Sequence, residues 1–508
     1  MTQPRGRLLL IGLDAADAEL VERWTADGTL PNLAALRRAG AYGRLATAAR
    51  YLTGAPWPTF YTGQPPTRHG LYHDFQWRHE RMEFAAPAQD WLPVKPFWRT
   101  LGSDVFVLAH DVPMTPATEP FHGVEITGWG SHDKLVPPCS QPPYLLEEVR
   151  KRHGDSPIEP ETFGRASFKS LRKLHSQLLD LTRRSTELSA WLLKLPWHLA
   201  IVAFGALHRG GHRFWDGTSV DGDVPPAHRA WFDGALRELY VAADKAVGDL
   251  LAAAPDAAVY VFSLHGMMVN AARVDLLDDM LARVIGGPQA KLPQPGALRR
   301  AGETIPLPLR RALTRHVPSR FKDPLVTRWT MGGTDWEHTR AFPLRADLNG
   351  YIRVNLRGRE PRGIVPAADL DRLCDQIREG LVSFGDSMTG ESLVEEVCRP
   401  LEVFPDGERK DRLPDLIVRW KETSGAHHVA VESVRFGRIA RATPGRIPNG
   451  RSGNHRGVGF LFARGTGIAA GSRLPADADI LDLAPTVMAR LGVRPSAPLA
   501  GKVLQPLV

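Results

Sequence analysis

Residues 8–24 read LLLIGLDAADAELVERW. Six apolar residues, Leu8 to Leu13, run without alternation and stop at Asp14. A run of that length suits a strand buried on both faces of a sheet. It is too short for a signal-peptide core or a membrane span. The same pattern recurs along the chain. Residues 105–109 end at His110-Asp111, 199–204 at Gly205, and 259–262 at Ser263-Leu264-His265; runs at 416–418 and 458–462 complete the set. Helical patterns lie between them, at 31–38, at 367–382 with Leu370, Leu373, Ile377 and Leu381 on one stripe, and at 480–491. Strands alternating with helices predict an α/β fold with a mostly parallel central sheet between helices. In such sheets functional groups collect at the carboxyl ends of the strands, where these polar residues fall.

At 508 residues the chain is long enough for more than one ordinary domain. Residues 1–268 and 401–508 are expected to form the first and closing parts of the α/β core. The stretch 269–345, rich in Pro, Gly and Arg, reads as a cap or insertion, and 346–400 as a small α+β subdomain. Hydrophobic residues make up 43% and charged residues 24%, a globular rather than a disordered balance. The net charge of +8 fits either an anionic substrate or a solvated Arg-rich surface. No dense basic run with interleaved aromatics occurs, so no nucleic-acid polymer is expected as a partner. The three cysteines, Cys139, Cys374 and Cys398, lie far apart, which suits a reducing, cytoplasmic setting. The segment 168–195 mixes Leu with Lys and Arg. It reads as an amphipathic helix packed on the core in preference to a membrane-surface helix, and no transmembrane segment is expected.

Asp14, directly after a buried strand, can ligate a cation or cap the next helix. Thr53 can be a turn residue or a nucleophile whose hydroxyl needs a metal or base to ionise. His208 and His212 are four residues apart, which on a helix puts both imidazoles on one face; Gly210-Gly211 between them weakens the helix. His265 closes a strand and His455 precedes one.

Taken in order, LPNLAALRRAG (30–40), the segment 53–63 with His69-Gly70, DVPMTPATEPFHGVEITGW (111–129), WEHTRAF (336–342), IRVNLRGREPRGIV (352–365), LPDLIV (413–418), NHRGVGFLFARG (454–465) and ADILDLAPTVMARLGV (478–493) join the opening stretch in a pattern. The sequence resembles the type I phosphodiesterase/nucleotide pyrophosphatase group of the alkaline phosphatase superfamily. The resemblance implies an alkaline phosphatase-like parallel sheet between helices, two divalent metals, usually zinc, and a Thr or Ser nucleophile that attacks phosphorus. Carried over, one metal falls to Asp14, Thr53, position 264 and His265, the other to position 208, His212 and His455. This chain departs at two of these positions, where Leu264 and His208 replace carboxylates. Leu cannot bind a metal, whereas three neutral imidazoles plus water form a recognised catalytic zinc arrangement. Losing two carboxylates also removes charge that holds two dications together. The expectation is one tightly held metal, zinc or alternatively manganese, at His208, His212 and His455, with a depleted site at Asp14, Thr53 and His265. His73 and Asp74 stand near the family's phosphate-contacting position, as a phosphate contact or a substitute ligand.

The expected activity is metal-dependent hydrolysis of a small anionic phosphate ester, a diester or nucleotide pyrophosphate, through Thr53. The alternative is a degenerate member that binds a ligand or partner without turnover. A sulfatase is disfavoured, because Thr53-Gly54-Ala55-Pro56-Trp57 lacks the C/S-x-P-x-R context.

Overall fold

The computed structural model describes residues 6–508 apart from 88–94, 132–133, 160, 162–163, 290–324, 326, 442–444 and 446–448. Fourteen strands carry the description: β1 (Leu8–Leu13), β2 (Ala41–Leu45), β3 (Val107–His110), β4 (Gly123–Thr127), β5 (Cys139–Gln141), β6 (Leu199–Phe204), β7 (Ala258–Ser263), β8 (Gly266–Val269), β9 (Ala341–Leu344), β10 (Gly350–Val354), β11 (Val394–Cys398), β12 (Leu416–Trp420), β13 (Gly453–Arg456) and β14 (Gly459–Arg464). The main sheet has eight strands in the order β2-β14-β7-β1-β6-β3-β4-β5. From β7 to β4 neighbouring strands run parallel, and β14, β2 and β5 pair antiparallel at its margins. The sheet is therefore mixed but mostly parallel.

The helices that matter here are α1 (Ala18–Ala26), α2 (Pro31–Ala39), α3 (Pro56–Thr62), α4 (Phe168–Leu192), α5 (Ala206–Arg213), α6 (Arg229–Ala253), α7 (Val274–Gly286), α8 (Leu370–Val382) and α9 (Leu483–Arg490). Strand β1 is buried along its whole length and feeds both faces. Leu9, Ile11 and Leu13 pack with residues of α1, α2, α4 and α6, whereas Leu8 and Leu10 pack with residues of α3 and α9. Each such leucine contributes roughly 2 kcal/mol by burial, which is why an unbroken apolar run is required at the centre of this sheet. The segment around 168–195 forms α4, whose Leu171, Leu178, Leu181, Leu188 and Leu192 join the core. No helix among the described residues is long and apolar enough to cross a membrane.

A second sheet, β9-β10-β12-β11, is antiparallel throughout. Its core takes Leu276, Leu277, Met280, Leu281 and Val284 from α7 and Leu373, Ile377 and Leu381 from α8. Helix α7 lies in the stretch read as a cap, and most of the remainder of that stretch falls outside the described residues. Buried Arg353 donates to Glu360 at 2.7 Å, and Arg359 grips both oxygens of Asp415 at 2.7 Å. These paired charges tie the loop after β10 to β12; breaking such a pair from one side typically costs about 3–5 kcal/mol.

Strand β8 pairs with β13, bringing Met267 opposite His455. That pairing closes the chain over the carboxyl ends of β1, β6 and β7.

Candidate active site

Asp14 leaves β1 into a turn in which Ala15 has a φ of 58°. It does not cap the following helix, because the Asp17 side chain accepts the Leu20 N–H instead. Asp14 is 1% exposed and both of its oxygens are engaged. His208 Nδ1 donates to Oδ2 at 2.7 Å, and the indole N–H of Trp57 donates to Oδ1 at 2.8 Å. His265 Nε2 stands 3.7 Å from Oδ1.

His208 and His212 do lie one turn apart on α5. The two glycines between them are packing requirements. A Cβ at Gly210 would meet Leu239 at 2.4 Å, and one at Gly211 would meet Met267 at 2.8 Å. His455 projects from β13, and its ring lies 4.9 Å from that of His208 and 5.1 Å from that of His212. One nitrogen from each of these three buried histidines falls within 4.8 Å of the others; they are the one group of three metal-capable side chains gathered in this way among the described residues. A tetrahedral zinc with N ligands at 2.0–2.1 Å needs nitrogens roughly 3.3 Å apart, a spacing inside the 4.8 Å limit within which these atoms gather. The partners orient the rings as metal sites require. Asp14 holds Nδ1 of His208, and the Gly453 carbonyl, 2.9 Å away, accepts from Nδ1 of His212. Burial, Arg451 and His208 hold His212 well below the usual imidazole range. Burial and the neighbouring histidines do the same to His455. Both are therefore neutral at pH 7, the form that ligates a metal.

The residues do not fit a second ion in the same way. Leu264 is 1% exposed and packs in the core beside Trp57 and Phe262. Asp14 accepts one hydrogen bond at each oxygen, from Trp57 and from His208. His265 lies against His455, with 3.4 Å between their Nδ1 atoms, and burial lowers its basicity. The Thr53 backbone N–H donates to the Tyr351 hydroxyl at 3.1 Å, and its own Oγ1 is buried with no hydrogen-bond partner among the described residues.

His208 and His455 open onto a cleft of about 330 Å³ that His73, Asp74 and Asp347 also line. His73 reaches this wall because Gly54, next to Thr53, lets the chain pass: a Cβ there would meet Tyr72 O at 2.6 Å and His73 Cα at 2.8 Å. His73 Nδ1 lies 2.8 Å from Asp74 Oδ1, and its Nε2 lies 3.2 Å from Asp347 Oδ2. Burial opposes its charge, yet the two carboxylates push His73 up to about 10. His73 and Asp74 are thus engaged with each other and with Asp347 rather than with the three histidines. Arg451 connects Asp347 (3.2 Å) to Glu161 (2.6 Å). Asp111, after β3, has a φ of 61°, and its Oδ2 accepts from Gly130 N at 2.5 Å. Burial pushes its carboxyl up to about 6.

Trp57, Tyr351, Asp347, Arg209, Lys134 and Arg451 were not singled out from sequence. Arg209 and Arg451 carry a signal in hindsight, since each sits within four residues of a histidine of the trio. The others are brought in by contacts over long sequence separations.

A family model described as "Type I phosphodiesterase / nucleotide pyrophosphatase" matches residues 8–424. His455 lies beyond that range. No match was found among curated proteins. Among solved structures, the chain is similar to a phosphonoacetate hydrolase from Sinorhizobium meliloti 1021 in complex with phosphonoformate (12% identity, 96% of each chain covered, TM-score 0.48). It is also similar to murine ectonucleotide pyrophosphatase/phosphodiesterase 5, an inactive variant in complex with AMP (12% identity, 98% of this chain and 97% of that chain, TM-score 0.49). The human form of that protein gives 11% identity over 98% and 97%, with a TM-score of 0.48. With most of its length matched by the family model, the chain belongs to the type I phosphodiesterase/nucleotide pyrophosphatase family of phosphoester hydrolases.

Proposed function

We propose that this chain hydrolyses phosphodiester or nucleotide pyrophosphate bonds with Thr53 as nucleophile and one divalent metal, zinc, held by His208, His212 and His455. The observation that carries the reading is the buried three-histidine group with its oriented Nδ1 partners. When bound, such an ion supplies Lewis acidity toward a phosphoryl oxygen. Thr53 Oγ1 forms a bond to phosphorus as the bond to one ester oxygen breaks, and the hydroxyl proton leaves with the alcohol. Water then cleaves the phosphothreonine. Tyr351 holds the Thr53 backbone in place. In this reading Asp14 acts as the group that orients His208. The expected result is hydrolysis of bis(4-nitrophenyl) phosphate that is lost on chelation and regained with zinc. Turnover indifferent to chelation would refute the metal.

A second reading, a ligand-binding member without turnover, draws support from Leu264 and from the engagement of both Asp14 oxygens. Inertness of the zinc-loaded protein toward diesters and pyrophosphates, with manganese equally ineffective, would favour it.

A further inference from the structure

We propose that the cleft beside the three histidines contains a second anion subsite, formed by Arg209 and Lys134, for a carboxylate or phosphate group carried by the substrate in addition to the phosphoryl group that reacts. The proposal rests on the functional reading above and deepens it by naming a substrate class: small phosphate esters with a second negative charge.

Arg209 directly follows His208 on α5, so the subsite adjoins the reacting centre. Its side chain is 9% exposed and lines the cleft. Nη1 donates to the Glu159 carbonyl at 2.5 Å, and the remaining guanidinium donors have no hydrogen-bond partner among the described residues. Lys134 lines the same cleft. Desolvation and repulsion from Arg209 hold its amine below the ordinary lysine range, against the opposing pull of Asp111.

The carboxylates on the cleft wall are committed elsewhere. Glu159 pairs with Lys173 at 2.8 Å, and Glu161 pairs with Arg213 and Arg451. Asp347 serves Arg451 and His73, and Asp74 serves His73. Asp111 spends one oxygen on the Gly130 N–H and makes no ion pair with Lys134 among the described residues. Two cations therefore face one concavity without a carboxylate in contact with either among the described residues. The Arg209 guanidinium lines the cleft with donors that no described residue takes up. A planar, bidentate acceptor satisfies it, and carboxylates and phosphates have that geometry. The neighbouring ammonium adds charge without demanding direction.

The test uses the zinc-loaded full chain and two esters, 4-nitrophenyl ethyl phosphate and 4-nitrophenyl 2-carboxyethyl phosphate. The wild type is expected to favour the carboxyethyl ester by at least about tenfold in kcat/KM, and Lys134→Gln and Arg209→Gln to bring the ratio to within about twofold of unity. A wild type without the preference, or variants that keep it, would overturn the proposal. Lys134 is exposed, so its variant reports even if Arg209→Gln fails to fold. Should neither ester be hydrolysed, the functional reading fails separately. Calorimetry with inorganic pyrophosphate and inorganic phosphate then decides the subsite. Tighter binding of pyrophosphate that is lost in Lys134→Gln supports it, and equal binding of the two anions refutes it.

Discussion

His212→Ala is expected to strip the protein of its metal and to lower kcat/KM toward a diester by about 10²–10⁴, the equivalent of several kcal/mol of transition-state charge stabilisation. The expectation follows from how His212 is held. Its ring is fully buried on α5, and the Gly453 carbonyl occupies Nδ1, which leaves Nε2 as the ligating nitrogen. His208 and His455 alone provide two donors, too few for a retained zinc. Gly211 and Met267 pack tightly beside this turn, so melting must be measured alongside metal content. A folded His212→Ala protein that keeps its zinc and its rate would exclude the trio as the metal site.

Thr53→Ala is expected to lower kcat by on the order of 10³ or more while metal content stays unchanged, as removal of a nucleophile does. The same variant should be as stable as the wild type or more so. Thr53 Oγ1 is buried without a partner among the described residues, and such an oxygen costs about 1–3 kcal/mol of desolvation that alanine avoids. The contact that fixes the local chain, from the Thr53 N–H to Tyr351, uses the backbone and survives the substitution. A loss of activity accompanied by a gain or no change in melting temperature marks a functional hydroxyl. Activity equal to the wild type would remove Thr53 from the mechanism.

The fold was legible wherever burial is two-sided. Leu8 to Leu13, 199–204 and 259–262 lie side by side at the centre of the sheet, where burial on both faces favours apolar residues. Helix α7 is not legible in the sequence, although Leu276, Leu277, Met280, Leu281 and Val284 form a helical stripe. The Pro- and Gly-rich sequence after it hid a partner that appears only when α8 and the second sheet assemble. His208 and His212 could be paired by spacing, but the glycines between them argued against the helix that presents them. Those glycines make sense only beside Leu239 and Met267. The substitution of Leu264 was visible, but its companion was not. Trp57 reaches Asp14 across 43 residues of sequence, a contact that no local pattern reveals. Likewise, nothing local to His73 reveals Asp347 opposite it.

The central claim is that the two-metal arrangement of the family is reduced here to one three-histidine site. Metal content per chain, measured by elemental analysis on protein loaded with zinc and dialysed, tests it most directly. The account predicts one zinc per chain in the wild type. Two tightly held zinc ions per chain, or none, would contradict it.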